Sequence, residues 1–145
     1  MKKEKATKFY KTEEVAKKWY VIDAKDKTLG RMATKIARII RGKDKAVFTP
    51  NTDTGDFVIV LNADQIKMTG KRPTMKEYFH YSGYPGGLKI KSFKELVEKK
   101  PEYVIEQAVK GMLPKTRLGN KLIKKLKVYR GTEHPHVAQK PEILN

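Results

Sequence analysis

The feature that most constrains the fold is the run of residues 57–63 (FVIVLNA), which is apolar without alternation. A strand of this kind is typical of a sheet that is covered on both faces. A second bulky, β-branched run, residues 19–24 (WYVIDA), is closed by Lys25, Asp26 and Lys27 and predicts a first buried strand. Buried strands separated by a helical pattern favour an α/β fold, with a parallel sheet and helices packed on it.

The helical pattern between these strands covers residues 28–41, with Thr28 as the expected N-cap and Gly42 as the stop. Its apolar residues fall on one side, and the opposite side is basic. The cations on that side are Arg31, Lys35, Arg38 and Arg41. Two interpretations stay open, because these cations could contact phosphate or could only stabilise the C-terminal end of a helix.

The remaining elements are predicted from caps, chain breakers and periodicity. They are a short helix over 12–18, an additional strand over 66–70, a protruding arm or hairpin over 71–91, helices over 93–99, 102–113 and 116–126, and a strand over 127–129.

Charge determines which partner the chain requires. Lys and Arg number 33 against 16 Asp and Glu, which leaves a formal net charge of +17 on 145 residues. Neutralising phosphates releases condensed counterions, so nucleic acid is the expected partner. An anionic membrane is the rival, but the sequence has neither an apolar span of about 20 residues nor the character of a signal peptide. The lack of cysteine excludes disulfides, Cys-type zinc sites and thiol nucleophiles, and it fits a reducing cytoplasm.

The strongest functional signal is the stretch 110–130, which contains no acidic residue. A solvated helix face usually alternates charge signs, so the absence of acids favours contact with phosphate. We expect this stretch to be the main RNA-facing element, with its apolar residues on the core and its cations outward. Its candidate RNA-binding residues are Lys110, Lys115, Arg117, Lys121, Lys124, Lys125 and Arg130.

A second candidate is the loop 80–87 (HYSGYPGG) with the cations that flank it. Aromatic rings can stack on unpaired bases, and glycines let a backbone approach phosphate closely. The alternative is an ordinary loop whose tyrosines cover the core. The candidate RNA-binding residues here are Lys71, Arg72, His80, Tyr81 and Tyr84.

No constellation favours catalysis or a metal. His134 and His136 lack the neighbouring ligands of a metal site, and we expect them to hydrogen-bond phosphate or bases instead. Asp53 and Asp56 are explained by turn and capping roles. The glycine-rich loop of a dinucleotide fold is absent after the first strand. We therefore predict that the chain is not an enzyme and has no catalytic residue, metal or cofactor.

Three blocks carry a resemblance to a known family: WYVIDAKDKTLGR (19–31), AVKGMLPKTRLG (108–119) and KVYRGTEHPHVAQKP (127–141), with SGYPGG (82–87) between the first two. In these blocks the chain resembles the family of the thirteenth protein of the bacterial large ribosomal subunit. The resemblance implies a three-layer α/β/α fold on a four-stranded, mostly parallel sheet. It also implies binding to 23S ribosomal RNA during early assembly of the 50S subunit in the cytoplasm, beside neighbouring ribosomal proteins.

The resemblance further implies feedback control through messenger RNA, and it gives no membrane or small-molecule partner. A free-standing RNA-binding regulator outside the ribosome is the alternative function. We divide the chain into a basic N-terminal extension with a short helix (1–18), a single α/β RNA-binding domain (19–130) and an irregular C-terminal tail (131–145).

Overall fold

A four-stranded parallel sheet organises the chain in the computed structural model, which describes residues 9–144. The elements are β1 (Trp19–Asp23), α1 (Leu29–Arg41), β2 (Phe57–Leu61), α2 (Arg72–Met75), β3 (Glu77–Tyr81), β4 (Leu88–Ser92), α3 (Phe93–Lys99), α4 (Pro101–Met112), α5 (Arg117–Leu122), β5 (Leu126–Val128) and β6 (Glu142–Leu144).

The sheet has the strand order β5-β2-β1-β6, and every neighbouring pair is parallel. Helices flank it, so the predicted three-layer α/β/α arrangement on a parallel sheet is confirmed. The predicted hairpin is also confirmed, because β3 and β4 form a separate antiparallel pair. Within residues 9–144, no helix is both long and apolar enough to cross a membrane.

Strand β2 lies inside the sheet and is buried as its composition predicts. Val58, Ile59 and Val60 have no exposed surface. Val58 and Val60 belong to the main core, where α1 and α4 pack against each other. On the other face of the sheet, the rings of Trp19 and Phe57 stack with centroids 4.3 Å apart.

The helix boundaries follow the capping residues. Gly42 adopts a left-handed conformation (φ 80°) and donates its N–H to the carbonyls of Arg38 and Ile39, which ends α1 as predicted. Ser92 caps α3 by accepting the N–H of Glu95, and Pro101 begins α4. The side chain of Thr28 makes no capping hydrogen bond.

Three predictions of secondary structure are wrong. Residues 12–14 form a turn and residues 16–18 have no regular structure, so no helix forms over 12–18. The segment 66–70 supplies only one bridge, between Lys67 and Thr28. The last helix ends at Leu122, not Leu126, because the backbone tightens into a 3₁₀ turn over Ile123–Lys125.

The C-terminal tail is only partly irregular, which corrects the prediction for residues 131–145. Its last described residues form β6, the fourth strand of the sheet, which pairs with Tyr20, Val21 and Ile22 of β1. A three-residue strand has too few residues to show a periodic pattern. It forms here because the outer edge of β1 has free backbone groups to pair with it.

If β6 is part of the fold, its two apolar side chains should respond differently to substitution. Leu144 packs against the core, whereas 79% of the Ile143 surface is exposed. We expect Leu144→Asp to lower the free energy of unfolding by about 1–2 kcal/mol, and Ile143→Asp by less than about 0.5 kcal/mol. Urea denaturation measures both, and equal effects would contradict the pairing of β6 with β1.

Candidate nucleic-acid interface

The predicted RNA-binding residues lie in four places: on α4 and α5, on α1, around α2 and the hairpin, and in the C-terminal tail. All but three are exposed. Lys125 is buried, and His134 and His136 are half-buried.

The first place is the basic segment, defined here as Lys110, Lys115, Arg117, Lys121 and Lys124. Its cations are exposed, while the apolar residues of α4 and α5 anchor it. Those anchoring residues are Val104, Ile105, Val109, Leu113 and Leu122, all in the main core. Within the described part of the chain, no ion pair involves the basic segment. Its charge is therefore available to a partner.

The position of α5 is fixed by a close contact at Gly119. Thr116 caps the helix by accepting the N–H of Gly119, and a Cβ at Gly119 would collide with the carbonyl of Pro114. Only glycine lets the two backbones approach this closely. A cavity of about 370 Å³ lies at this junction, lined by Lys110 and Lys115 among others.

Lys125 is the one predicted RNA-binding residue that the structure removes from the surface. Only 7% of its side chain is exposed, and its Nζ donates to Asp53 and to the carbonyl of Gly55 at 2.8 Å. The Nζ also lies 5.5 Å from the centroid of the Phe57 ring. The prediction assumed a regular helix through Leu126, and the 3₁₀ turn instead directs Lys125 inward.

Asp53 and Asp56, in the loop before β2, have ion-pair roles that the turn interpretation did not include. Burial lowers the pKa of Lys125, although Asp53 opposes this. Burial would raise the pKa of Asp53, but Lys125 and Lys17 together hold it below its usual value. Asp56 accepts from the Nζ of Lys45 at 2.6 Å and from the backbone N–H of Lys18 at 2.8 Å.

The second place is the outer side of α1, where Arg31, Lys35 and Arg38 are exposed. Arg38 forms an ion pair with Asp44 at 2.5 Å. Arg31 also lines a broad groove of about 890 Å³ together with Arg72, so the fold brings together two cations that lie far apart in the sequence.

The third place is the hairpin, whose two faces differ in character. Strand alternation and the observed register put Phe79, Tyr81, Leu88 and Ile90 on one face, each more than half exposed. The opposite face carries Tyr78, His80, Lys89 and Lys91. Tyr84 lies at the exposed tip, and Lys71 is exposed beside α2. The sequence indicated the aromatic loop but not which rings share a face with cations.

The fourth place is the tail, where His136 has a structural role. Its Nε2 lies 2.8 Å from the hydroxyl of Tyr129, and its ring lies 5.1 Å from that of Trp19. Its backbone N–H donates to Nδ1 of His134. Arg130 remains exposed just after β5. Among residues 9–144, no group of three or more His, Asp or Glu could hold a metal ion.

Sequence reasoning missed Tyr78, Lys100 and Tyr103 as candidate site residues, and it included Lys89 and Lys91 only among the cations that flank the loop. The alternation of Tyr78 and His80, and of Lys89 and Lys91, is a signal in the sequence, since residues two apart share one face of a strand. Tyr103 and Lys100 join them only through tertiary packing.

A parallel α/β fold with cations on its outward helix surfaces defines the class: a small basic α/β protein whose surface suits a polyanionic partner. Comparison with known proteins then identifies the family. The family profile described as Ribosomal protein L13 matches residues 17–135. The chain therefore belongs to the ribosomal protein L13 family, whose members are structural proteins of the large ribosomal subunit and not enzymes. The prediction that the chain is not an enzyme is confirmed by this membership.

Close relatives cover nearly the whole chain. It is 60% identical to the large ribosomal subunit protein uL13 of Maridesulfovibrio salexigens over 134 residues, which are 92% of this chain and 94% of that protein. It is 61% identical to uL13 of Thermoanaerobacter pseudethanolicus over 135 residues, 93% of this chain and 94% of the relative. It is 56% identical to uL13 of Picosynechococcus sp. over 134 residues, 92% and 89% of the two chains.

The buried ion pair and the exposed cation beside it provide a matched test. Lys125→Met keeps the aliphatic stem but leaves Asp53 with Lys17 alone. We expect the free energy of unfolding to fall by about 2 kcal/mol, below the ~3–5 kcal/mol of a fully buried pair, because Lys17 still neutralises Asp53. Lys124→Met should cost less than about 0.5 kcal/mol. Similar urea midpoints for the two variants would contradict the buried position of Lys125.

The contact at Gly119 gives a second test. Gly119→Ala places a methyl group against the Pro114 carbonyl, so we expect it to lower the free energy of unfolding by about 1–3 kcal/mol. Gly111 is a helical glycine with nothing near its Cβ position, and Gly111→Ala should be neutral or stabilising by up to about 1 kcal/mol. Thermal denaturation compares the two variants, and a neutral Gly119→Ala would contradict the close approach.

Proposed function

We propose that this chain binds 23S ribosomal RNA in the large ribosomal subunit, with the basic segment as its main contact. Membership of the ribosomal protein L13 family supports a structural place in that subunit. The observation that carries the RNA contact is the basic segment itself: five exposed cations anchored to the core and without an ion pair inside residues 9–144.

Electrostatics explain why RNA is the partner. Each phosphate that a cation neutralises releases condensed counterions, and this entropy gain favours binding. Three of the chain's acids are engaged away from the basic segment: Asp44 pairs with Arg38, Asp53 with Lys17 and Lys125, and Asp56 with Lys45. The positive charge outside these pairs includes the basic segment, which lies in the longest acid-free stretch of the sequence, residues 107–132.

A core formed by this chain alone would suit an early role in assembly. The core of α1, α4 and the sheet forms from this chain alone, so the basic segment is arranged before RNA arrives. Neighbouring ribosomal proteins would then join on the RNA that the chain has organised.

The same cations would serve a regulatory complex with messenger RNA. Phosphate contacts position a protein on a nucleic acid without reading its sequence, so the basic segment suits either RNA. A free-standing regulator differs from the ribosomal protein in its location. Sedimentation of cell extracts separates the two, because a regulator outside the ribosome would not co-sediment with the large subunit.

Charge removal tests the proposed contact directly. We expect the triple variant Arg117→Gln, Lys121→Gln, Lys124→Gln to fold normally, because exposed substitutions shift stability by less than about 0.5 kcal/mol each. In a competition with wild type for incorporation into large subunits, the variant should be depleted. Its binding to a 23S RNA fragment should also depend less on salt, with the slope of log K against log salt shallower by about 2–3.

The control removes the same charge elsewhere. Lys11, Lys25 and Lys94 are exposed and lie outside the basic segment, so replacing all three by Gln should leave incorporation close to wild type. Equal incorporation of the two triple variants would show that the basic segment is not the main contact.

A further inference from the structure

A cavity lies beneath the hairpin, between its Tyr78 and His80 face and the helices α3 and α4. Its volume is about 370 Å³, at the lower end of the range of ~300–1,000 Å³ typical for pockets that hold small ligands. Such a space suits one small planar group and is too small for a helix or a duplex.

Two tyrosine rings form adjoining walls of this cavity. The centroids of Tyr78 and Tyr103 are 6.3 Å apart and their planes meet at 60°, so the rings are not stacked on each other. Leu96 adds an apolar surface from α3. Aromatic and aliphatic walls of this kind favour a flat aromatic occupant, because stacking on the tyrosines and burial of apolar surface both stabilise a bound ring.

The rim of the cavity is basic. Lys89, Lys91 and Lys100 line it together with His80, and all four are exposed. None of the described residues that line it is acidic. Aromatic walls with cations at the mouth fit an occupant that joins a flat ring to an anionic group.

A nucleotide has this combination, with a base for the tyrosine walls and a phosphate for the lysines. We take the nucleotide to be unpaired, since extracting a paired base from its stack costs free energy, and RNA-binding proteins commonly recognise bases from single-stranded loops and bulges. A protein segment would need an aromatic residue next to an acid, which is a narrower requirement.

We infer that the cavity formed by Tyr78, Tyr103, Lys89, Lys91 and Lys100 holds one unpaired nucleotide of ribosomal RNA. This inference rests on the proposed function, because it requires the chain to be in the subunit. It adds a base-recognising site to the basic segment, which contacts phosphate.

The test uses the full-length protein in assembled large subunits. A lysine analogue that carries a photoreactive diazirine replaces Lys100, which keeps the length of the side chain at the rim. After irradiation of purified subunits, we expect an adduct between this protein and RNA that nuclease trims to a single short oligonucleotide. The substitution Tyr103→Leu, made in the same protein, should lower the adduct yield by roughly fivefold or more, because one stacking wall is lost.

Two further variants keep the result interpretable. Lys89→Gln with Lys91→Gln changes only exposed positions, so it should lower the yield even if Tyr103→Leu disturbs folding. Lys94→Gln on α3 is exposed and outside the cavity, and it should leave the yield unchanged.

Several outcomes would overturn the inference. An adduct with a peptide of another ribosomal protein would show that the occupant is protein. Absence of any adduct would overturn the inference. An RNA adduct formed in equal yield by the unsubstituted protein, by Tyr103→Leu and by Lys89→Gln with Lys91→Gln would overturn it too. If the protein is missing from the subunits altogether, the proposed function fails first and the nucleotide site fails with it.

Discussion

The burial of β2 on both faces is the constraint on which the rest of the molecule depends. Val58, Ile59 and Val60 are fully removed from water, and burial of each such side chain stabilises the fold by about 1.5–3 kcal/mol. A strand covered on both faces must have neighbours on both edges, which β1 and β5 provide. Both are parallel to β2, and parallel neighbours require long crossovers. The crossovers hold α1, α4 and α5, so the helices that carry half of the candidate Lys and Arg residues follow from the burial of one strand.

The positions of the acidic residues decide which cations are paired within the fold and which remain exposed. Asp53 and Asp56 precede β2 and neutralise lysines at that end of the sheet, one of them buried. These pairs hold Lys125 buried and Lys45 half-buried, whereas α5 contains no acidic residue, and Glu102 and Glu106 of α4 form no ion pair with the basic segment within residues 9–144. The exposed cations of the basic segment stay available for phosphate.

The hairpin differs from the rest because little of it is buried. Its apolar face, with Phe79 and Ile90, is exposed, while the opposite face closes a cavity against α3 and α4. Two types of contact with RNA are therefore proposed on one small protein. The basic segment presents charge on rigid helices, and the cavity presents aromatic walls. The first type would set affinity and the second would select an unpaired base.

The parallel α/β fold, the ends of α1, α3 and α4, and the cations of the basic segment could be predicted from the sequence, because burial, caps and charge runs are local properties of the chain. The sequence also showed the family through its motifs. The burial of Lys125 could not be predicted in this way, because a 3₁₀ turn after Leu122 directs its side chain towards Asp53 instead of solvent. The pairing of β6 with the free edge of β1 and the contact between Tyr103 and Tyr78 likewise depend on the tertiary structure. These outcomes depend on partners distant in sequence, and periodicity within one segment carries no information about them.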